Sequence, residues 1–141
     1  MKPLPELIAR LKSHAQNAAS QSYSPYSKFK VGAAVIGKEG EIFTGCNVEN
    51  ASYGLTQCAE RNAIGAAIAG GLRVGTLMTL LVYTPGEQVC SPCGACRQVM
   101  HEMMAEESQV ISCCDVDGYK TWTKQEYLPD PFVSDRTLNI V

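Results

Sequence analysis

Apolar residues recur every three or four positions at the start of the chain, with Leu4, Leu7, Ile8, Leu11, Ala15 and Ala18 on one stripe. That period predicts an amphipathic helix over residues 5–20. The pattern then changes. After the turn-rich segment Ser22–Ser27, the stretches Val31–Ile36 and Ile42–Gly45 read as two strands around the hairpin signal Gly37-Lys38-Glu39-Gly40. Residues 59–69 are rich in Ala and Ile, and Gly70-Gly71 ends them as a helix C-terminus should. The run Leu77-Met78-Thr79-Leu80-Leu81-Val82, inside Val74–Thr84, is apolar without alternation, which predicts a central strand covered on both faces. Ser91 and Pro92 suit the N-cap and first turn of a helix reaching about Glu106. Val110–Val116 and Tyr119–Trp122 are two more strands around Asp117-Gly118, and Thr123 and Glu126 have capping-box spacing for a short last helix. The order αββαβαββα predicts a three-layer α/β/α sandwich with a mixed five-stranded sheet.

Composition narrows the function. A chain of 141 residues fits one domain over residues 1–141, able to bury roughly two thirds of its unfolded surface without disulfide staples. Twelve Lys+Arg against fourteen Asp+Glu leave a net charge of −2, which argues against nucleic acid as a partner and leaves a small neutral substrate open. The longest apolar stretch, Ala63–Leu72, is about half a membrane span, so no membrane role is expected. Met1–Glu6 lack the apolar region of a secretion signal, and the seven cysteines are odd in number. Both point to a reducing, cytoplasmic setting with thiols available for a metal or for catalysis.

The chemistry concentrates in Cys58-Ala59-Glu60-Arg61 and, 35 positions after Cys58, in Cys93-Gly94-Ala95-Cys96-Arg97. Both segments read as first turns of helices with one strand between them. Packed on one face of the sheet, the two N-termini come together, and their partial positive charge favours thiolates. Cys93 and Cys96 can reach one ion from one helical turn, and Cys58 adds a third sulfur. Three protein ligands leave a tetrahedral zinc one open position, the catalytic arrangement rather than the closed structural one. Glu60 makes a poor fourth ligand and a good proton carrier. Three thiolates and one Zn²⁺ sum to −1, so Arg61 and Arg97, each next to a sulfur in sequence, are expected to donate hydrogen bonds to thiolates. Other readings stay open. A lone Cys-x-x-Cys suits a redox pair or half a structural site, and Cys90-x₂-Cys93-x₂-Cys96 has iron–sulfur spacing without the further Cys-Pro that such sites carry. Cys46, Cys90, Cys113 and Cys114 are expected as small buried hydrophobes, His14 and His101 as surface or packing residues, and Tyr23, Tyr26 and Trp122 as packing residues.

Cys-Ala-Glu-Arg followed by Pro-Cys-Gly-Ala-Cys-Arg-Gln resembles the small homotetrameric zinc-dependent cytidine deaminases. The segments Tyr23–Ala34, Gly45–Tyr53 and Leu128-Pro129-x-x-Phe132 are similar to that family too, so the likeness covers nearly the whole chain. It implies deamination of cytidine and 2′-deoxycytidine in pyrimidine salvage, with one Zn²⁺ per chain on Cys58, Cys93 and Cys96 and with Glu60 as proton shuttle. It further implies that Phe29 packs on base and ribose, and that Asn47 and Glu49 hold the ribose 3′-hydroxyl. The N–H of Ala59 and the carbonyl of Ser91 would read the base edge and the leaving amine. Ala51, Tyr53 and Phe132 match positions that complete a neighbouring subunit's site in a homotetramer. Two alternatives remain: a deaminase of cytosine-containing antibiotics of the blasticidin type, which lacks Glu-Asn-Ala-Ser-Tyr after its Asn-Val, and a non-catalytic metal-binding module. Cys90 replaces a usually aliphatic residue, and the tail 133–141 matches no family pattern, leaving its role at a subunit contact open.

Overall fold

The structure, a computed structural model, describes residues 2–134; positions 135–141 of the unmatched tail lie outside the described residues. Helix α1 (Pro5–Ala19) opens with proline at its first turn, where the missing N–H costs nothing. Strands β1 (Gly32–Gly37) and β2 (Ile42–Cys46) form the expected hairpin, with Gly40 in the left-handed region at φ +92°. Helix α2 (Ala59–Ala69) stops at Gly70-Gly71 as its sequence demands, and Gly71 takes φ +105°. Then follow β3 (Leu77–Tyr83), α3 (Gly94–Met103), β4 (Met104–Cys113), β5 (Tyr119–Thr123) and α4 (Lys124–Tyr127). In α4 the capping box forms: Glu126 N–H donates to Thr123 Oγ1 at 3.3 Å, and Thr123 N–H to Glu126 Oε1 at 3.0 Å.

The sheet order is β2-β1-β3-β4-β5, with β3 and β4 parallel and the other pairs antiparallel. The central strand β3 is buried on both sides, as its unalternating apolar run predicts. Leu80, Val82 and Val110 face a core shared with α2, α3 and α4, whereas Leu81, Ile111 and Cys113 face α1. Three layers result. Among the described residues no helix is long and apolar enough to cross a membrane.

The carboxyl ends of α3 and β4 differ from the sequence pattern. Helix α3 ends at Met103 and the chain enters β4 at once, because Met104 takes an extended conformation and pairs with Leu77 of β3. No glycine, proline or capping residue separates helix from strand there, so parallel pairing decides what local preference leaves open. Strand β4 also ends early, at Cys113 rather than Val116. Asp115 N–H donates to Gly86 O at 2.9 Å, which draws the chain toward the loop after β3.

Strand directions determine where the functional loops gather. Since β1 is antiparallel to both β2 and β3, those two run the same way and end at the same edge of the sheet. Helices α2 and α3, which follow β2 and β3, therefore start at that edge, and the segment leading into β1 arrives there as well. Ligand sites in α/β sheets lie at such an edge, beyond the carboxyl ends of the strands.

Candidate active site and metal centre

Cys58 is the N-cap of α2 and Cys93 the N-cap of α3, and neither side chain caps its own helix. Ser91, expected at the cap of α3, instead lies two residues before it, outside any helix or strand. Arg97 N–H donates to Cys93 O at 3.0 Å, which starts the helix beyond Pro92. Both cap sulfurs are thus free to converge with Cys96 from the first turn of α3, and the three Sγ atoms lie within 4.8 Å of one another. Cys58 Sγ and Cys93 Sγ are 3.9 Å apart. Sulfur bonds of ~2.3 Å around a tetrahedral ion separate sulfurs by about 3.8 Å, so the spacing suits such an ion. Cys96 is buried, Cys58 half-buried and Cys93 exposed, so the cluster opens on the Cys93 side.

Electrostatics favour the thiolate. The Cys58 thiol is drawn down to about 5, first by its hydrogen bond with Cys96 and then by Arg61, whose Nη2 donates to Cys58 Sγ at 3.4 Å. The same bond and burial push Cys96 up. Arg97 departs from expectation. Its Nε donates to Pro92 O at 2.8 Å and its Nη1 to Tyr127 O at 3.1 Å, with no bond to sulfur. One position beyond Cys96, it leaves the helix about 100° around from the sulfur. Only one of the two arginines therefore counters thiolate charge directly.

The cluster borders a cavity of about 280 Å³ at the sheet edge, lined by Phe29, Asn47, Glu49, Cys58, Ala59, Glu60, Ser91 and Cys93 among others. Glu60, in the first turn of α2, is 5% exposed, and burial raises its pKa above the ordinary carboxylate range. Asn47 and Glu49 are both buried and shape the segment before β1. Asn47 Oδ1 accepts from Val31 N–H at 2.9 Å and from Ser22 Oγ, while its Nδ2 donates to Phe29 O at 2.8 Å. Glu49 accepts from the N–H groups of Tyr26 and Ser27 at 2.9 and 3.1 Å and from Ser27 Oγ. The Ser27 hydroxyl bond is the main reason its carboxyl titrates low.

Other expected residues stand apart. Ala51, Tyr53 and Phe132 do not line this cavity, and the two aromatic rings are 73% and 78% exposed. Tyr53 stacks edge-on against Tyr26 at 5.5 Å and lines a neighbouring hollow of about 320 Å³ that shares Ser27, Glu49 and Thr56 with the cavity. Tyr23 and Tyr26 are thus exposed rather than packed inside, because the loop they occupy lies outside both cores, whereas Trp122 packs partly buried on the main core. Cys113 and Cys114 are buried as expected and Cys46 half-buried. Cys90 corrects expectation: it is exposed and lines the cavity, since the loop after β3 carries it over the sheet edge. His14 and His101 lie outside the sulfur cluster. The cavity also takes in Ser27, Thr56, Val82 and Thr84, which sequence reasoning missed. Thr84 had a usable signal, as the first polar residue after the central strand.

Residues 5–113 match the family described as "Cytidine and deoxycytidylate deaminase zinc-binding region". The chain is 40% identical over 121 residues to the cytidine deaminase of Halalkalibacterium halodurans, covering 86% of this chain and 90% of that protein. It is 45% identical over 95 residues to that of Sporosarcina psychrophila, covering 67% and 68%. Its fold matches the crystal structure of cytidine deaminase from Burkholderia pseudomallei with a TM-score of 0.84 at 42% identity, over 88% of this chain and 98% of the other. The corresponding enzyme structure from Mycobacterium tuberculosis gives 0.75 at 37% identity, over 93% and 99%. With a match that spans α1 to the end of β4, sulfur cluster included, the chain belongs to the cytidine and deoxycytidylate deaminase family.

Proposed function

We propose that this protein is a zinc-dependent hydrolase that converts cytidine and 2′-deoxycytidine to the uridine forms and ammonia. The observation that carries the reading is the convergence of three sulfurs beside a buried carboxyl in one cavity. Cys58, Cys93 and Cys96 would hold one Zn²⁺ per chain. When bound, zinc supplies a positive centre that lowers the pKa of water from about 15.7 toward 7. Glu60 moves the protons. Burial raises its pKa from the ordinary carboxylate value, which makes the carboxylate a stronger base toward the attacking water. It takes a proton from the attacking water and delivers it to ring N3, which makes C4 electrophilic. The C4–O bond forms, Glu60 takes the second water proton from the new C4 hydroxyl and hands it to the amine, and the C4–N bond breaks to release ammonia and leave a C4 carbonyl, following the general chemistry of zinc deaminases.

The remaining roles follow from the cavity lining. Phe29 flanks base and sugar. Asn47 keeps one amide hydrogen beyond the one given to Phe29 O, and with Glu49 it holds the ribose 3′-hydroxyl. The Ala59 N–H and the Ser91 carbonyl read the base edge and the leaving amine. Exposure of Tyr53 and Phe132 supports a homotetramer in which these residues and Ala51 complete a neighbour's site. We also read residues 1–141 as one catalytic domain acting in cytoplasmic pyrimidine salvage. The test follows the ultraviolet spectrum of cytidine with purified protein, before and after chelation. Conversion to uridine that stops on chelation and returns with zinc supports the reading; turnover of a blasticidin-type antibiotic but not cytidine supports the alternative. Bound metal with no turnover of either leaves a metal-binding module.

A further inference from the structure

Of the buried side-chain polar atoms without a hydrogen-bond partner among the described residues, Thr84 Oγ1 alone belongs to a residue that lines the site cavity. Thr84 is 4% exposed. Its backbone is fixed, with the N–H donating to Cys113 O at 3.1 Å just past the end of β3. Leu80 and Val82 face the core under α2 and α3, while Leu81 and Tyr83 face α1, so strand alternation puts Thr84 on the α2/α3 side. It is the next residue on that face, at the edge where both helices begin. A buried hydroxyl with no partner is a cost that valine, of nearly the same shape, would avoid. Such a group is accounted for when a ligand provides the missing bond.

We propose that Thr84 is a specificity-determining residue whose hydroxyl hydrogen-bonds the polar edge of the substrate's pyrimidine. The inference rests on the deaminase reading above. The base, rather than the sugar, is the partner for a topological reason. Ser27, Asn47 and Glu49, the polar groups suited to ribose, come from the segments before β1 and after β2. Thr84 ends the strand between the two helices that carry Glu60 and the sulfurs, where C4 must lie to react. Its same-face neighbour Val82 is apolar and offers no competing bond.

The test compares Thr84→Val and Thr84→Ser with the parent protein. It measures KM and kcat for cytidine and 2′-deoxycytidine, uridine affinity by calorimetry, zinc content and Tm. Thr84→Val is expected to keep its zinc and an equal or higher Tm, while KM for both nucleosides and the Kd of uridine rise about 3- to 10-fold, the loss of one neutral hydrogen bond. Thr84→Ser, which keeps the hydroxyl, is expected within about twofold of the parent. Unchanged nucleoside binding in Thr84→Val overturns the proposal. So does weaker binding accompanied by lower Tm or lost zinc, which would make the residue structural, or a loss confined to the ribonucleoside, which would assign the hydroxyl to the sugar. Failure of the parent protein itself to bind uridine or deaminate cytidine would sink the deaminase reading first, and is distinguished by that.

Discussion

Gly45 tests whether the geometry of α2 governs catalysis. A Cβ at this β2 position would stand 2.4 Å from Ala63 N and 2.7 Å from Ala59 O. Both are backbone atoms, so no side-chain rotation relieves the overlap; helix and strand must separate by about 1 Å to restore ordinary contact. The small ridge Ala59, Ala63, Ala67 on α2, buried throughout, makes the present close approach possible, and Asn62 Nδ2 reinforces it by donating to Cys46 O at 2.8 Å. The first turn of α2 carries Glu60 and follows Cys58, so the displacement reaches the reacting groups directly. Overpacking of this kind costs about 1–3 kcal/mol, or about 3–10 °C in Tm for a chain of this size. Misplacement by ~1 Å near the chemistry costs on the order of 10²-fold in rate. Gly45→Ala is therefore expected to lower kcat for cytidine about 100-fold while the protein still folds. Gly70→Ala is the control: it overlaps the Phe43 ring at 2.2 Å, at the far end of the same helix. It should lower Tm with kcat within about twofold of the parent, since that ring can turn aside. Equal kcat losses in the two variants, or full activity in Gly45→Ala, would refute the claim that this contact sets the position of Glu60.

Four further variants have expected outcomes. Glu60→Gln should bind zinc stoichiometrically by metal analysis yet lose about 10²- to 10⁴-fold in kcat, because the amide fills the space but carries no proton. Arg97→Ala should lower Tm by leaving the Pro92 and Tyr127 carbonyls unpaired, at about 1–3 kcal/mol, with little change in zinc affinity; Arg61→Ala should weaken zinc about 10- to 100-fold in a chelator competition. Asp115 accepts from Tyr83 Oη and from Gly86 N–H at 2.7 Å, and the tyrosine bond is the main cause of its lowered pKa. A carboxylate lowered in the folded state contributes stability above its ordinary pKa of 3.8, lost as pH falls through the lower folded value. The Tm gap between parent and Asp115→Ala should thus be constant from pH 7 to 5 and close below about pH 4, and a gap unchanged down to pH 2 would contradict it.

The legible features were those marked by residues with strong local rules. Helix α2 could be delimited to both ends because Gly70-Gly71 stops it, and α4 because Thr123 and Glu126 form a box. The sulfur cluster was legible from two cysteine segments at helix starts with a strand between them. Where no residue punctuates the chain, as between Met103 and Met104, only pairing with β3 fixes the boundary. Ser91-Pro92 shows a local rule overridden: the pair has the chemistry of a helix start, but the helix begins beyond it so that Cys93 presents its sulfur from the cap. Arg97 was misread because adjacency in sequence is not adjacency on a helix. Thr84 carries no motif, and the segment around Ser27 assigns that residue no role; their place in the cavity depends on where each segment meets the sheet edge.

Two of the expected site residues, Tyr53 and Phe132, are exposed aromatics outside the cavity. Tyr53, on the segment after β2, and Phe132, after α4, lie outside both hydrophobic cores and so gain nothing from the burial that orders Leu80 or Val82. Both are nevertheless held. Tyr53 is braced against Tyr26, and the backbone of Phe132 is fastened to α3 by Gln98 Nε2, which donates to its carbonyl at 2.9 Å, one residue along from the Arg97 bridge to Tyr127. Two large apolar side chains exposed to solvent are a poor arrangement for an isolated chain, which gains nothing from leaving them in water. Their exposure supports the proposed homotetramer, and the hollow lined by Tyr53 shares Glu49 and Ser27 with the proposed sugar site. If the proposed homotetramer forms through this surface, its contacts and those proposed to hold the substrate share Ser27 and Glu49, so affinity for the nucleoside and for the neighbouring chain should rise and fall together.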